Sequence, residues 1–256
     1  MMLNKIRDKI NNKVLKFEYV CALHNAASMC NNETFSSIKG INKGKEIAIC
    51  GAGPTLKNYE PINGVLHVAL NRALLNEKIQ YDWFIADDWD GINFFQDILE
   101  DYDCLKFFGH QIGSYEREIP ESFAIKCRGK RYYTDIYYVP DGYRSRFVCD
   151  IDKMAIGNMA NIALSAMQIV LFTNPSKIYL VGCDASSGHF VQPKSLSNER
   201  IKNHEKDLKM AVYGDKVIDQ WRELKRFAQA FYPDTEIISI NPVGLKGIFK
   251  DVFTEH

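Results

Sequence analysis

The sequence lacks three features that mark common classes of protein: paired metal-binding or redox cysteines, an uninterrupted long apolar run, and an excess of charge of one sign. Its seven cysteines are widely spaced and form no Cys-x-x-Cys pair, which argues against a zinc or dithiol site and favours reduced thiols in a cytoplasm. The 32 basic and 32 acidic side chains give a formal net charge of zero. We therefore expect no nucleic acid partner.

No segment of the sequence is predicted to cross a membrane. The N-terminal stretch has no apolar run of the kind found in signal peptides. The most apolar segment, Ala155 to Phe172, is long enough to span a bilayer, but polar side chains such as Asn158, Asn161 and Gln168 interrupt it. We interpret this segment as a buried helix.

Residues 1 to about 30 are predicted to form a basic amphipathic helix. Ile6, Ile10 and Val14 recur at helical spacing, and the basic residues between and around them are Lys5, Arg7, Lys9, Lys13 and Lys16. Such a helix packs on the main domain or on another copy in a homo-oligomer, or it contacts an anionic membrane surface peripherally. Residues 31–45 are polar and rich in turn formers, as in a linker. We divide the chain into a helix and linker over residues 1–44 and a main domain over residues 45–256.

From Lys45 onward, short apolar runs alternate with helical or loop segments. The candidate strands are Glu46 to Cys50, Val65 to Leu70, Trp83 to Ala86, Leu105 to Phe108, Phe123 to Lys126, Lys177 to Val181 and Glu236 to Ile240. Helices are predicted over Asn158 to Phe172 and over about Lys216 to Phe231. This alternation predicts a three-layer α/β fold with a sheet that is at least partly parallel.

The segment after the first predicted strand is a candidate anion site. It contains the run Gly51-Ala52-Gly53-Pro54-Thr55. Two glycines let the backbone turn sharply, so that amide N–H groups can point at phosphate oxygens. The run is not a Walker loop, and it lacks the third glycine of the dinucleotide fingerprint. The alternative is a tight turn without a ligand.

Polar side chains also follow the next two predicted strands. Asn71 comes after the strand that ends at Leu70, and an amide at this position can contact a base or ribose unless it only caps a helix. Asp87 and Asp88 follow the strand that ends at Ala86. They could bind Mg²⁺ through their carboxylates, position the hydroxyls of a sugar, or cap the next helix.

The start of the predicted apolar helix is a second candidate anion site. Lys153, Gly157 and Asn158 are predicted to lie at the start of the apolar helix, where free N–H groups and the helix dipole favour an anion. We expect the bend at residues 51–53 and this helix start to converge on one pocket for a phosphorylated ligand. The alternative is plain capping of a buried helix.

Acid–base candidates come after the strand that ends at Val181. Asp184 and His189 lie in one predicted loop, and His204 lies in the charged segment that follows. A carboxylate and an imidazole near neutral pH suit general acid–base catalysis. We take His189 as the first candidate base, His204 as the second and Asp184 as the catalytic carboxylate.

Four stretches in this order resemble a superfamily of bacterial and archaeal transferases. They are IAICGAGPTLKNYEPI, HVALNRAL, the run from GNMANIALS to VGCDASSGHF, and INPVGLKGIF. The superfamily includes lipooligosaccharide sialyltransferases, motility-associated-factor glycosyltransferases that act on flagellin, and archaeal 6-hydroxymethylpterin diphosphokinases. The resemblance covers roughly residues 45 to 250.

The resemblance implies a Rossmann-like fold with a mostly parallel sheet that holds an activated nucleotide over the first glycine loop. Gly51, Gly53, Asn71 and Gly157 match positions that hold a cytidine monophosphate sugar in the sialyltransferases, and Asp87 lies near another. A glycosyltransferase is implied, with a nucleotide-sugar donor, CMP-linked and acidic by preference, and a cell-surface glycan or protein acceptor. Such an enzyme would work in the cytoplasm, and the basic helix would suit the inner face of the membrane.

Two other functions stay open at this point. A diphosphokinase would use Asp87, Asp88 and Asp184 to hold Mg²⁺ for pyrophosphoryl transfer. A non-catalytic nucleotide-binding module is the third alternative, because the stretch before the late helix has no histidine where the sialyltransferases carry theirs.

Overall fold

The computed structural model describes residues 29–112, 119–136, 147–157, 161–185 and 211–254, together with the single positions Ile10, Val14, Phe17, Cys21 and Asn25. These residues form nine strands: β1 (Glu46–Cys50), β2 (Leu66–Leu70), β3 (Trp83–Ala86), β4 (Leu105–Ile112), β5 (Lys130–Ile136), β6 (Ile156–Gly157), β7 (Lys177–Val181), β8 (Glu236–Ile240) and β9 (Lys250–Val252).

All nine strands belong to one parallel sheet. Their order is β6-β5-β4-β3-β2-β1-β7-β8-β9, and each of the eight pairings is parallel. Four of the five residues of β1 and of β2, and all four of β3, are buried, because both faces of the sheet are covered. The predicted Rossmann-like α/β fold with a mostly parallel sheet is confirmed.

Helical segments cover the two faces of the sheet. In the described part of the chain after the N-terminal segment, the α-helices are α1 (Gln96–Asp101), α2 (Glu121–Ala124), α3 (Ile162–Phe172) and α4 (Ala211–Phe231). One core contains the buried side chains of α3 and α4, and the other contains those of α1, α2 and several short 3₁₀ helices. The predicted three layers are therefore present.

The central helix α3 is almost completely buried. Its apolar residues pack on β1, β2, β3 and β6, and its one buried amide is fully used. Gln168 donates through Nε2 to the carbonyl oxygen of Gly157 (2.9 Å), and its Oε1 accepts from the amide of Val148 (3.2 Å). The interpretation as a buried helix is thus confirmed for Ile162–Phe172, whereas Ile156–Gly157, in the same apolar segment, form strand β6. Among the described residues, no helix combines the length and the apolar character needed to cross a membrane.

One predicted strand is wrong. Residues 123–126 were expected to be extended, but Phe123 and Ala124 belong to the short helix α2, which follows Pro120 with its φ of −60°. The strand lies later, at Lys130–Ile136, after Gly129 turns the chain with a φ of +66°. The two apolar residues would be buried in either conformation, so composition alone does not distinguish the two.

Part of the segment with a linker-like composition packs against the sheet. Residues 29–35 are helical, and the ring of Phe35 is buried 6.2 Å from that of Phe107. Asn31 is also buried, and it exchanges hydrogen bonds with β5: its Oδ1 accepts from the amide of Thr134 (2.7 Å). These residues are therefore core rather than solvated linker. The division of the chain into folding units at residue 44 stays a prediction.

Candidate active site

The direction of the strand order reverses at β1. The chain proceeds from β1 towards β6 on one side, and then returns to place β7 on the other side of β1. In open α/β sheets, ligands bind outside the carboxyl ends of the strands at such a reversal. The loop that follows β1, with Gly51 and Gly53, and the loop that follows β7, with Gly182 and Asp184, both lie there.

These two loops contact each other closely. The amide of Gly51 donates to the carbonyl oxygen of Val181 (2.7 Å), and the amide of Gly53 donates to that of Gly182 (2.8 Å). A Cβ atom on Gly51 would lie 2.6 Å from the Gly182 oxygen, and one on Gly182 would lie 2.5 Å from the Gly51 oxygen. Glycine is therefore required at both positions for one loop to pack on the other.

This packing changes the expected role of the glycine amides. The N–H groups of Gly51 and Gly53 were expected to point at phosphate oxygens, but both are used within the protein. Pro54 has no N–H and begins a short 3₁₀ helix over Pro54–Asn58. The half-buried Ala52 is the exception, since no backbone acceptor for its N–H is found among the described residues. The assignment of this loop to a ligand site stays a prediction.

Asp184 binds the glycine loop directly. Its carboxylate is buried and accepts two hydrogen bonds from Thr55, one from the backbone amide (2.9 Å) and one from Oγ1 (2.5 Å). The Asp184 carbonyl oxygen also accepts from the amide of Gly244 (2.8 Å). The carboxylate therefore holds the loop in place, and its catalytic role stays a prediction.

The two cysteines beside this loop are poor nucleophiles. Burial raises the pKa of Cys183 to about 12, and the nearby charge of Asp184 contributes to this rise. Burial also raises the pKa of Cys50 well above its ordinary value. Because the thiolate is the reactive form, neither side chain is suited to nucleophilic catalysis near neutral pH.

Asn71 has an unusual backbone conformation and an unused side-chain oxygen. Its φ is 47°, a region that residues other than glycine adopt infrequently and that is common at functional sites. Its Oδ1 is buried and has no hydrogen-bond partner among the described residues. The amide packs against Gly91, where a Cβ atom would lie 3.2 Å from Asn71 Cγ. An oxygen held in this way is suited to accept a hydrogen bond from a ligand.

The two aspartates after β3 have different surroundings. Asp87 is 4% exposed, whereas Asp88 is partly exposed and caps the short helix Trp89–Gly91 by accepting from the amide of Asp90 (2.9 Å). Within the described part of the chain, no group of three or more His, Cys, Asp or Glu side chains could hold a metal ion. Binding of Mg²⁺ by Asp87 and Asp88 stays a prediction.

Asp87 also lies close to Gly109 and Tyr133 on the next two strands of the sheet, a grouping that the sequence did not reveal. A Cβ atom on Gly109 would lie 2.8 Å from both Asp87 Cβ and the hydroxyl oxygen of Tyr133. The side chain of Tyr133 is fully buried, and its hydroxyl has no partner among the described residues. Burial, together with the charges of Asp135 and Asp87, raises the pKa of this hydroxyl. The available sequence signal was the glycine after the strand residues Leu105 to Phe108.

The segment that includes Lys153 and Gly157 lies elsewhere than expected. Gly157 is in the edge strand β6, and α3 begins only at Ile162, after Asn161 caps it by accepting from the amide of Ala163 (3.1 Å). Lys153 is exposed, in a turn before β6. Five strand positions separate β6 from β1, or about 24 Å at the usual strand spacing.

The expected helix start at Gly157 is therefore wrong, and this residue does not share one phosphate pocket with Gly51. Asn158 lies outside the described residues, as do the acid–base candidates His189 and His204. His110, an exposed residue of β4 next to Gly109, is a histidine that the sequence analysis did not select.

Known proteins match this chain in structure but not in sequence. No family model matches the sequence, and no curated protein matches it. One solved structure that matches is the sialyltransferase CstII from Campylobacter jejuni in complex with the substrate analogue CMP-3FNeuAc, with 13% identity, a TM-score of 0.42, and coverage of 76% of this chain and 80% of that chain. Another is the MAf glycosyltransferase from Magnetospirillum magneticum AMB-1, with 12% identity, a TM-score of 0.47, and coverage of 91% of this chain and 38% of that chain. Both are proteins of the kinds that the sequence resembles.

Proposed function

We propose that this protein is a glycosyltransferase that uses a nucleotide-activated sugar, with a CMP-linked acidic sugar as the favoured donor and a cell-surface glycan or a protein as the acceptor. The observation that carries the proposal is the buried Oδ1 of Asn71, which has no hydrogen-bond partner within the described ranges. Asn71 lies at the carboxyl end of the strand next to the reversal point. A ribose hydroxyl or the amino group of cytosine would supply the missing donor. The resemblance of the sequence to the sialyltransferase group supports the same choice of ligand.

The transfer reaction needs a base and a means of stabilising the leaving group. The acceptor hydroxyl oxygen forms a bond to the anomeric carbon of the sugar, and the bond from that carbon to the phosphate oxygen breaks. The electron pair of the broken bond leaves with the nucleotide, and the hydroxyl proton passes to the base. We keep His189, His204 and Asp184 as the candidates for this base.

A thermal-shift panel tests the identity of the nucleotide. Cytidine, uridine, guanosine and adenosine nucleotides are compared, each with and without Mg²⁺. At a concentration of about one hundred times Kd, a ligand of the folded state adds about 2.7 kcal/mol of stability, which corresponds to a rise in Tm of roughly 5–10 °C. We expect this rise with CMP, and a larger rise with CMP in the presence of Mg²⁺ would support binding of the ion by Asp87 and Asp88.

Two results would contradict this expectation. A rise with ATP only in the presence of Mg²⁺ would favour the diphosphokinase, and no rise with any nucleotide would end the proposal of a nucleotide-dependent transferase. Binding of CMP without turnover of any CMP-sugar would favour the non-catalytic module.

We also propose that the N-terminal segment binds anionic lipid at the inner face of the membrane. Ile10, Val14 and Phe17 lie in helical backbone and are 56%, 49% and 58% exposed. Their spacing of four and three residues places them on one face of the helix. The first thirty residues carry five lysines and arginines against two acidic residues, so the charge complements an anionic surface.

Sedimentation with lipid vesicles tests this contact. We expect the protein to bind vesicles that contain phosphatidylglycerol and not vesicles of phosphatidylcholine alone. The double variant Val14→Ser/Phe17→Ser should bind at least about tenfold more weakly, because it removes apolar area from the lipid contact. Val243→Ser, at an exposed position outside this segment, is the matched control. If the double variant binds the vesicles as well as the wild type does, the helix packs on the main domain instead. If the double variant is a monomer where the wild type is a dimer, the helix forms part of a homo-oligomer interface.

A further inference from the structure

Arg72 is a buried cation with an unused hydrogen-bond donor. Its side chain is 8% exposed, and Nη1 has no hydrogen-bond partner among the described residues. A guanidinium group stays protonated in proteins and carries five N–H donors. Leaving one donor of a buried charged group unsatisfied is unfavourable. A partner for this nitrogen is therefore expected to come from outside the described part of the chain.

The surroundings of the guanidinium orient it without using all of its donors. Its Cζ atom lies 5.3 Å from the centre of the Phe94 ring, so the ring covers one side of the group. Burial lowers the pKa of Arg72, whereas the charge of nearby Asp88 raises it. The ring of Phe94 thus packs on the group, Asp88 lies near enough to influence its charge, and Nη1 has no acceptor among the described residues.

The position of Arg72 places this group at the carboxyl edge of the sheet. Arg72 follows Asn71 at the end of β2. In the register of β1 with β2, Cys50 pairs with Ala69, so Gly51 and Arg72 both lie just beyond the ends of adjacent strands. Consecutive residues next to the glycine loop therefore carry an acceptor, Asn71 Oδ1, and a donor, Arg72 Nη1, neither of which has a partner in the part of the chain that the structure describes.

We infer that Arg72 binds the anionic group of the ligand, a phosphate or a carboxylate, while Asn71 Oδ1 accepts a hydrogen bond from a neutral part of the same ligand. The naming of that ligand as a nucleotide or an acidic sugar rests on the proposed function. The guanidinium presents N–H groups to the anion oxygens and keeps its proton throughout. If the anion is the phosphate, the same N–H groups stabilise the negative charge that grows on it as the sugar leaves.

Variants of Arg72 test this inference through the affinities of four probes. CMP, cytidine, N-acetylneuraminic acid and inorganic pyrophosphate are titrated calorimetrically into the wild type, Arg72→Met and Arg72→Lys. We expect Arg72→Met to weaken binding of an anionic probe by about 10- to 100-fold and to change cytidine binding by less than about twofold. Arg72→Lys should lose less, because it keeps the charge but not the planar set of donors. Arg222→Met, at an exposed arginine of α4 paired with Asp219, should bind every probe as the wild type does.

The thermal stability of the free protein separates ligand binding from a structural role. An arginine needed for folding should lower Tm when it is replaced by methionine. An arginine that lacks a full set of partners should not, because methionine removes a buried charge and fills similar space. We therefore expect the Tm of ligand-free Arg72→Met to equal or exceed that of the wild type.

The probes also separate this inference from the proposed function. Loss of CMP affinity alone would identify the phosphate as the anion, and loss of N-acetylneuraminic acid affinity alone would identify the carboxylate. If the wild type binds pyrophosphate through Arg72 but binds no cytidine nucleotide, the anion site stands and the proposed function fails. If Arg72→Met binds every anionic probe with wild-type affinity, the inference is overturned whatever the function.

Discussion

Replacing Gly53 by alanine is expected to lower the free energy of unfolding by about 3 kcal/mol and to weaken nucleotide binding. The added Cβ atom would lie 2.4 Å from Asp184 Oδ2 and 2.6 Å from the carbonyl oxygen of Gly182. The backbone angles of Gly53, a φ of −68° and a ψ of 161°, are accessible to any residue. The penalty therefore comes from the lack of space between the two loops and not from the backbone conformation.

The change in stability can be measured by thermal or urea denaturation. A loss of about 3 kcal/mol corresponds to a fall in Tm of roughly 6–12 °C for a domain of this size. Gly64→Ala is the control, because a Cβ atom added at Gly64 would meet no other atom within 4 Å, although the φ of +79° is unfavourable for alanine. Only the backbone cost of about 1 kcal/mol then applies. A Gly53→Ala variant no less stable than Gly64→Ala would show that the loops do not depend on this close approach.

Replacing Asp184 by asparagine is expected to lower the free energy of unfolding by about 2–3 kcal/mol. Each carboxylate oxygen accepts one hydrogen bond from Thr55. Asparagine can still accept from the Thr55 amide through its oxygen, and its NH₂ group can donate to Thr55 Oγ1. The stability is lost because neither hydrogen bond is then made to a charged carboxylate. Urea denaturation measures this loss. Thr55→Val, which removes the hydroxyl and keeps the backbone amide, should lose less.

The same variant distinguishes a positioning role of Asp184 from the predicted catalytic one. If the carboxylate holds the glycine loop, stability, CMP affinity and turnover of a CMP-sugar should fall together in Asp184→Asn. If it acts as the base, stability and CMP affinity should stay close to the wild type while turnover is lost. Because the buried carboxylate already accepts two hydrogen bonds from Thr55, we expect the first result.

In the glycine loop, the sequence correctly predicted a sharp turn, but the need for glycine has a different physical cause from the one expected. The sequence places Gly51 and Gly53 after a strand, and this pattern predicts a sharp turn that approaches a ligand. In the structure, the closest approach is to Gly182 for Gly51 and to Asp184 for Gly53, in a loop more than one hundred residues later in the chain. Glycine is thus required at these two positions because the neighbouring loop leaves no space for a Cβ atom. No local pattern reports a contact of this kind, because it exists only after β1 and β7 have paired.

The residues around Asn71 show a second difference. The sequence indicated that Asn71 would lie at the carboxyl end of a strand, and it does. It gave no sign that Arg72 would be buried, because arginine is usually exposed. In the structure, Arg72 packs on the ring of Phe94, which lies more than twenty residues later in the chain. For the same reason, the neighbours of Tyr133 across Gly109 could not be predicted: they come from β3, β4 and β5 together.

The sequence by itself determined the class of fold and the edge at which polar side chains collect. Short apolar runs such as residues 47–50 and 178–181 specify parallel strands that are largely buried, and the residues that follow them must lie at the carboxyl ends. Only the tertiary structure decided the order of the strands, which puts β6 far from β1 and β7 beside it. The physical reason is that periodicity and turn chemistry act over a few neighbouring residues, whereas the pairing of distant strands depends on which arrangement buries both faces of the whole sheet.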